Sequence, residues 1–241
     1  MDSFSLESFH RQYETDTVEM TIGGRRFRLL TPKSIDPFID PNDLLRGFPL
    51  WAKIWEASWV LADYLSGIPP DSQRSLLEIG GGLGLVGIVA ASFGHRMTTT
   101  ENNPDALQFA RANAALNGCS SLRIVPLDWH LPIRDNRDDA PHPGGSDARE
   151  CNTGDERGYD LIVGSEVIYH QRDFEPLENL FHNQLKPGGE IIIAAAMRQI
   201  FADFLKKMQK RFRISATRKV LRSAGEEETR IAFCRMSPGC H

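Results

Sequence analysis

Four of the five residues at positions 80–84 are glycines, and they follow a short apolar run that contains one acid. The segment reads LLEIGGGLGLVG over residues 76–87, and apolar residues then recur at helical spacing. A glycine turn between a strand and a helix lets backbone N–H groups approach a ligand, because no Cβ is in the way. The pattern therefore predicts a binding site for a nucleotide-like cofactor.

Acidic and aromatic residues follow the later apolar runs at equivalent places. Glu101 ends the second run, and Asp128 and Trp129 come directly after the third. The fourth run leads into GSEVIY at residues 164–169. The carboxyl ends of parallel strands meet at one edge of a sheet, where ligands bind. We therefore expect these residues to surround a single crevice.

Two kinds of cofactor fit the glycine turn. Residues 82–87 match GxGxxG, and Glu101 follows Gly82 by 19 residues, as in a dinucleotide site. However, the first glycine after the strand is Gly80, which puts that match out of register. Glu78 at the strand tip would repel a pyrophosphate and attract a sulfonium. These features favour a cationic cofactor, although an NAD-dependent oxidoreductase remains an alternative.

The ExGxGxG pattern at residues 78–84 resembles the glycine motif of class I S-adenosylmethionine-dependent methyltransferases. Three further motifs narrow the resemblance to the seven-β-strand protein lysine methyltransferases (methyltransferase family 16). They are WxxxWxxA before the glycine turn, PLDW after the third strand and GSEVIY after the fourth. The resemblance implies S-adenosylmethionine as the cofactor and S-adenosylhomocysteine as the product.

The resemblance also implies which residues form the site. Those implied to bind the cofactor are Trp55, Glu78, Gly80, Gly81, Gly82, Glu101, Asn102, Asp128, Trp129 and Ser165. Glu166 and Tyr169 stand where the family has a D-x-x-Y signature, so the carboxylate here extends about one methylene further. Both are expected to be catalytic, Glu166 by positioning a lysine ammonium and Tyr169 by hydrogen bonding to the amine or narrowing the pocket.

Methyl transfer to a lysine of a protein is thus the leading hypothesis, and four alternatives stay open. Residues 206–222 hold eight basic residues and no acid, which would suit an RNA substrate but equally a solvated edge strand. A small-molecule N-methyltransferase and a non-catalytic cofactor-binding module are the next two. The oxidoreductase is the fourth.

The order of elements predicts an α/β fold. Alternating strands and helices from residue 75 to 210 indicate a Rossmann-like, doubly wound parallel sheet, and the resemblance implies seven strands with the last one antiparallel. Alternating apolar residues around Gly23-Gly24 predict an N-terminal β-hairpin. Residues 50–65 are predicted as one helix with a tryptophan stripe, and residues 186–189 as a sharp turn. We expect a hairpin-and-loop appendage at 1–49, a methyltransferase domain at 50–241 and a mobile insertion at 134–158.

Composition limits the function classes. The 241 residues carry a net charge of -4, which argues against a general polyanion binder. The four cysteines are scattered without a CxxC pair, so neither a metal site nor a disulfide framework is expected. The polar N-terminus lacks a signal-peptide core, and no apolar run approaches the roughly 18 residues of a membrane span. We expect a monomeric, cytoplasmic protein that does not enter the membrane.

Overall fold

The computed structural model describes residues 4–39, 48–131, 158–221 and 228–239. Within these ranges the chain forms a two-stranded hairpin and a seven-stranded sheet. The predicted insertion at 134–158 lies outside the described residues except for Gly158, so its mobility stays a prediction. The predicted domain boundary at residue 49 directly follows residues 40–47, which also lie outside.

The N-terminal hairpin is confirmed. Strands β1 (Thr15–Ile22) and β2 (Arg25–Pro32) pair antiparallel, and Gly23 and Gly24 form the turn with φ of 55° and 77°. Both glycines adopt the left-handed region that such a two-residue turn requires. A helix that was not predicted, α1 (Leu6–Gln12), precedes the hairpin.

The remaining helices and strands follow one another in the predicted order. They are α2 (Glu56–Ser66), β3 (Ser75–Ile79), α3 (Leu85–Ser92), β4 (Arg96–Glu101), α4 (Pro104–Leu116), β5 (Arg123–Pro126), β6 (Tyr159–Ser165), α5 (Phe174–Gln184), β7 (Leu185–Ala196), α6 (Gln199–Met208), β8 (Phe212–Leu221) and β9 (Thr229–Pro238). The strand order is β5-β4-β3-β6-β7-β9-β8, and β9 runs antiparallel to both of its neighbours. The predicted seven-stranded, mostly parallel sheet with an antiparallel last strand is therefore confirmed.

Successive residues of the central strands pack into two separate apolar cores, one on each face of the sheet, because side chains alternate between the faces. Leu76 and Val163 face the core that contains α2, α3 and the hairpin. Leu77 and Ile162 face the core that contains α5 and α6. Since all five residues of β3 are buried, the glycine turn that follows starts from a rigid central strand.

The buried side chain of Asn113 ties the hairpin to the central unit. Its Nδ2 donates to the carbonyl oxygens of Leu30 at 3.1 Å and Leu83 at 3.0 Å, and its Oδ1 accepts from the Leu30 N–H at 2.6 Å. Leu83 lies within the glycine turn, so one polar residue of α4 links β2 to that turn. The hairpin is consequently a packed layer on the domain.

One local prediction is wrong. The helix predicted from residue 50 is a short 3-10 turn at Leu50–Ala52, and α2 begins only at Glu56. Trp55 lies before α2 in extended backbone, and its indole N–H donates to the Leu50 carbonyl at 2.8 Å, which closes this bend. The three tryptophans therefore do not share one helical stripe. The turn predicted at residues 186–189 is present as a bulge within β7. These residues lie between the pairs Tyr159–Leu185 and Leu161–Glu190, where the register with β6 shifts, and Gly188 has φ of 77°.

Candidate active site

A cavity of about 260 Å³ opens at the carboxyl ends of the central strands. Nine of the twelve predicted site residues line it: Trp55, Gly80, Gly81, Gly82, Glu101, Trp129, Ser165, Glu166 and Tyr169. The other three, Glu78, Asn102 and Asp128, are not part of its wall. The fold thus brings the glycine turn and the predicted acceptor residues to one space, although they are far apart in the sequence.

The glycine turn packs closely against Val167 and Trp51, which also line the cavity. Gly80 and Gly82 have φ of 62° and 53°. A Cβ on Gly80 would lie 2.8 Å from Val167 Cγ1, and one on Gly82 would lie 3.3 Å from the Trp51 carbonyl oxygen. Glycine is therefore required at both positions, and the turn offers its bare backbone to the cavity.

Glu78 lies beneath the turn, so the prediction that its carboxylate faces a cationic cofactor is wrong. The residue is 1% exposed, and its Oε2 accepts from the Thr99 hydroxyl at 2.7 Å and the Gly87 N–H at 3.1 Å. Burial raises the pKa of Glu78 to about 8. Its position at a strand tip was evident from the sequence, but which way the side chain turns depends on Thr99 of the neighbouring strand.

Glu101 does face the cavity, at the end of β4. Its Oε2 accepts from the Gly82 N–H at 2.9 Å, and its Oε1 accepts from the N–H groups of Asn102 and Asn103 at 2.7 and 3.0 Å. These bonds hold a carboxylate beside the glycine turn, where it can accept further hydrogen bonds from ligand hydroxyls. Asn102 contributes its backbone N–H, while the residue itself is exposed and outside the wall.

Three tryptophans form much of the apolar wall. Trp51 and Trp129 each bury an indole N–H that has no hydrogen-bond partner among the described residues. Buried polar groups are normally paired, so each is a candidate donor to a bound ligand. Trp51 was predicted as core, and it does pack on Phe38 and Phe109, yet it also lines the cavity. A glycine cradle, an acid and planar rings with free donors fit a nucleoside cofactor.

Glu166 follows β6 in a conformation that is unusual for its residue type. It has φ of 50°, is 7% exposed, and donates its N–H to the Ala194 carbonyl at 2.9 Å. Its Oε1 accepts from the Ala196 N–H at 2.6 Å. Both bonds join Glu166 to the end of β7. The glutamate side chain is one methylene longer than aspartate, and its carboxylate is hydrogen-bonded to this neighbouring strand. A left-handed glutamate held in this way is a candidate functional position.

Tyr169 lines the cavity, and Arg198 pairs with Glu166 without being part of the cavity wall. Burial and the Glu166 carboxylate raise the pKa of Tyr169 to about 12, although Arg198 opposes that shift. The phenol is therefore protonated near neutral pH and can donate a hydrogen bond. Arg198 was missed by the sequence analysis, although its position just after the apolar strand β7 was an available signal.

A second polar cluster borders the cavity, and it was also missed. Asp173 is 6% exposed and lines the wall. Its Oδ1 lies 3.1 Å from His130 Nε2, and its Oδ2 accepts from the His170 N–H at 3.0 Å. Asp128 accepts from the His130 N–H at 2.9 Å, so it shapes the bend after Trp129 without entering the wall. Asp173 thus joins the segment after β5 to the segment after β6.

Among the described residues, no three histidine, cysteine, aspartate or glutamate side chains are grouped as metal ligands. None of the described helices has the length and apolar character needed to cross a membrane.

Comparison with known proteins identifies what this arrangement resembles. Residues 49–142 match a protein family described as "Lysine methyltransferase". Protein N-lysine methyltransferase METTL21A of Xenopus tropicalis is 30% identical over 170 residues, which cover 68% of this chain and 69% of that protein. EEF1A lysine methyltransferase 3 of Mus musculus is 29% identical, over 61% of this chain and 56% of that protein. The crystal structure of a SAM-dependent methyltransferase from Agrobacterium tumefaciens shares the fold, with a TM-score of 0.60 and 15% identity over 92% of this chain and 70% of that one.

Proposed function

Because this chain belongs to the lysine methyltransferase family, we propose that it transfers a methyl group from S-adenosylmethionine to the side-chain amine of a lysine in a protein substrate. One observation carries the proposal. A single cavity is lined by the glycine turn and Glu101, which we call the donor side, and by Glu166 and Tyr169, which we call the acceptor side. A donor and an acceptor bound at these two sides would meet inside it.

The donor side suits S-adenosylmethionine, the cofactor of this family. When bound, the cofactor supplies a methyl group activated by a sulfonium. Glu101 is placed to accept hydrogen bonds from ribose hydroxyls, since its carboxylate is held at the turn by three backbone N–H groups. Trp129 places the six-membered part of its ring beside Gly80, with Cη2 3.6 Å from where a Cβ of Gly80 would lie. These groups align the cofactor, and the predicted contribution of Glu78 is indirect, through the turn above it.

The acceptor side suits a cationic side chain that must become neutral. A free lysine has a pKa of about 10.4, so it arrives as an ammonium. Glu166 presents a carboxylate that can attract this ammonium, and Tyr169 presents a protonated phenol that can orient the amine. Since the phenol keeps its proton, the lysine proton leaves to solvent and Tyr169 does not act as the base.

Ligand-induced stabilisation tests the donor side. S-adenosylmethionine should raise the melting temperature, because it binds the folded chain only, while NAD should not. The reverse result would reject the methyltransferase assignment in favour of an oxidoreductase.

Transfer of labelled methyl groups tests the acceptor side. The purified protein is incubated with methyl-labelled S-adenosylmethionine and a protein lysate, and the labelled material is hydrolysed to amino acids. Label in methyllysine supports the proposal. Label in methylarginine or methylhistidine would change the acceptor, and label that resists protease but is released by ribonuclease would favour the RNA alternative.

We also propose a monomeric protein in the cytoplasm. Cys119 and Cys234 are buried free thiols, which suits a reducing compartment. Light scattering of the purified protein and fractionation of the source cells would test the two statements, and a dimer or a secreted protein would reject them.

A further inference from the structure

Arg198 links the two residues of the acceptor side. It lies two residues beyond the end of β7, directly before α6. Its Nη2 is 3.4 Å from Glu166 Oε2, and its Cζ is 5.6 Å from the centre of the Tyr169 ring. The Arg198 side chain is 39% exposed, whereas that of Glu166 is 5% exposed. A partly solvated cation therefore lies next to a buried carboxylate that belongs to the cavity wall.

The Glu166 carboxylate alone would not favour methyl transfer to a lysine. It attracts a lysine ammonium, but for the same reason it stabilises the protonated form and raises the lysine pKa. The ammonium has no lone pair and cannot accept a methyl group. It must first lose one proton to solvent. The nitrogen lone pair then forms the new N–C bond, while the S–C bond of the donor breaks and its electron pair stays on sulfur.

We propose that Arg198 is a positioning residue that offsets the charge of Glu166, so that the acceptor lysine is bound in its neutral, nucleophilic form. This inference rests on the function proposed above. A cation near a lysine favours the neutral amine. Arg198 thus allows Glu166 to place the acceptor without holding its proton. The guanidinium also lies against the Tyr169 ring, which keeps the phenol next to the same carboxylate.

The other charged groups around the cavity are engaged elsewhere. Glu101 accepts from three backbone N–H groups at the glycine turn. Asp173 lies between His130 and His170, with Arg172 at 3.9 Å. Lys53 lies 3.9 Å from Glu56 and over the Trp55 ring. In the part of the chain that the structure describes, Arg198 is the cation that pairs with Glu166.

The test compares Arg198→Met and Arg198→Lys with the wild type across pH 6.5 to 9.5. The substrate is the lysine-containing protein that the wild type labels, purified from the lysate. For Arg198→Met we expect the apparent pKa of kcat to rise by about one unit. The rate should therefore fall about tenfold at neutral pH and recover at high pH. KM should stay equal or fall, because Glu166 without its partner binds the ammonium more strongly. Arg198→Lys keeps the charge and should restore the wild-type profile in part.

A binding measurement checks the same idea without turnover. In the presence of S-adenosylhomocysteine, a peptide with the acceptor lysine should bind Arg198→Met at neutral pH at least as tightly as it binds the wild type. Arg235→Met is the matched control, since it breaks another arginine–glutamate pair, with Glu190 in the middle of β7, and neither residue lines the cavity. It should leave the pH profile unchanged.

The possible outcomes separate this inference from the proposed function. If the wild type labels no lysine, the proposed function fails and Arg198 is not at issue. If lysine is labelled and Arg198→Met loses activity equally at all pH values with a higher KM, Arg198 is merely structural and the inference is overturned. Unchanged kinetics, or loss of the melting shift with S-adenosylmethionine, would also overturn it.

Discussion

Glu78 and Glu166 are buried glutamates at the carboxyl ends of the adjacent strands β3 and β6, yet their carboxylates are satisfied in different ways. Glu78 is held by neutral donors, the Thr99 hydroxyl and the Gly87 N–H, and burial raises its pKa to about 8. Glu166 is held by the Ala196 N–H and faces the cation of Arg198. The first is sealed under the glycine turn, whereas the second belongs to the wall of the cavity.

We propose that this difference separates a structural carboxylate, that of Glu78, from a functional one, that of Glu166. A buried carboxylate with neutral donors is favoured in its protonated form, and it then serves as a hydrogen-bonding strut. A carboxylate paired with a partly solvated cation keeps a charge that a substrate can use. The donor side of the site is accordingly a rigid scaffold. On the acceptor side, the charges of Glu166 and Arg198 set how strongly a cationic substrate is attracted. Four predictions test this contrast.

The largest effect is expected at Glu101, the carboxylate of the donor side that does face the cavity. Glu101→Ala removes the acceptor for two ribose hydroxyls and for the Gly82 N–H, so cofactor affinity should fall at least about 100-fold. The melting shift with S-adenosylmethionine should disappear. Asn102→Ala is the control, because only the backbone of Asn102 meets Glu101. An unchanged shift in Glu101→Ala would mean that the donor side is wrongly assigned.

Glu166→Gln should lower methyl transfer about 30-fold, equivalent to about 2 kcal/mol, because it removes the charge that attracts the ammonium. The melting shift with S-adenosylmethionine should persist, since the donor side is untouched. Glu178→Gln serves as the control, as Glu178 pairs with Arg211 at 2.8 Å and Lys207 at 3.4 Å outside the cavity. Loss of the melting shift in Glu166→Gln would contradict the assignment of Glu166 to the acceptor side.

The rigidity of the donor side predicts that Gly81→Ala destabilises the fold by about 2 kcal/mol, measured by denaturant unfolding. A Cβ there would lie 2.3 Å from Thr99 Cγ2 and 3.2 Å from Glu78 Oε2, so the hydrogen-bonded side chains of Thr99 and Glu78 would have to move. At Gly67 the nearest atom to a new Cβ is 3.6 Å away, and Gly67→Ala should have little effect. Equal effects of the two substitutions would show that the turn is not tightly packed.

The fourth prediction concerns the pH dependence of stability. Because the pKa of Glu78 in the folded chain, about 8, exceeds its ordinary value of 4.5, the folded state binds the proton more tightly. The contribution of Glu78 to the unfolding free energy should be largest below pH 4.5 and be lost as the pH rises through about 8. Between these two pH values we expect this contribution to fall by about 1 kcal/mol per pH unit.

Glu78→Gln mimics the protonated form and should flatten that decrease. Glu190→Gln is the control, since Glu190 lies on a surface pair with Arg235. The same pH dependence in wild type and Glu78→Gln would show that Glu78 is ionised in the fold and that its contrast with Glu166 does not hold.

Much of the fold was predictable because its signals are local. The Gly23-Gly24 turn and the cap at Asn103, whose Oδ1 accepts from Asp105 and Ala106 N–H groups at 2.9 and 3.0 Å, depend on residues within a few positions. Strand-end acids were also placed correctly by chain order. The start of α2 was not, because the bend at Trp55 depends on how Trp51 packs against Phe38 and Phe109, which are distant in the sequence.

The sequence by itself determined the order of strands and helices, the glycine turn and the donor-side acid Glu101, since short-range periodicity and backbone conformation specify them. Only the tertiary structure decided which glutamate enters the cavity. Glu78 turns inward because Thr99 of β4 offers it a hydroxyl, and Glu166 turns to the wall because β7 offers it a free N–H and Arg198. Side-chain direction at a strand end is decided by the neighbouring strand, and the chain order does not encode it.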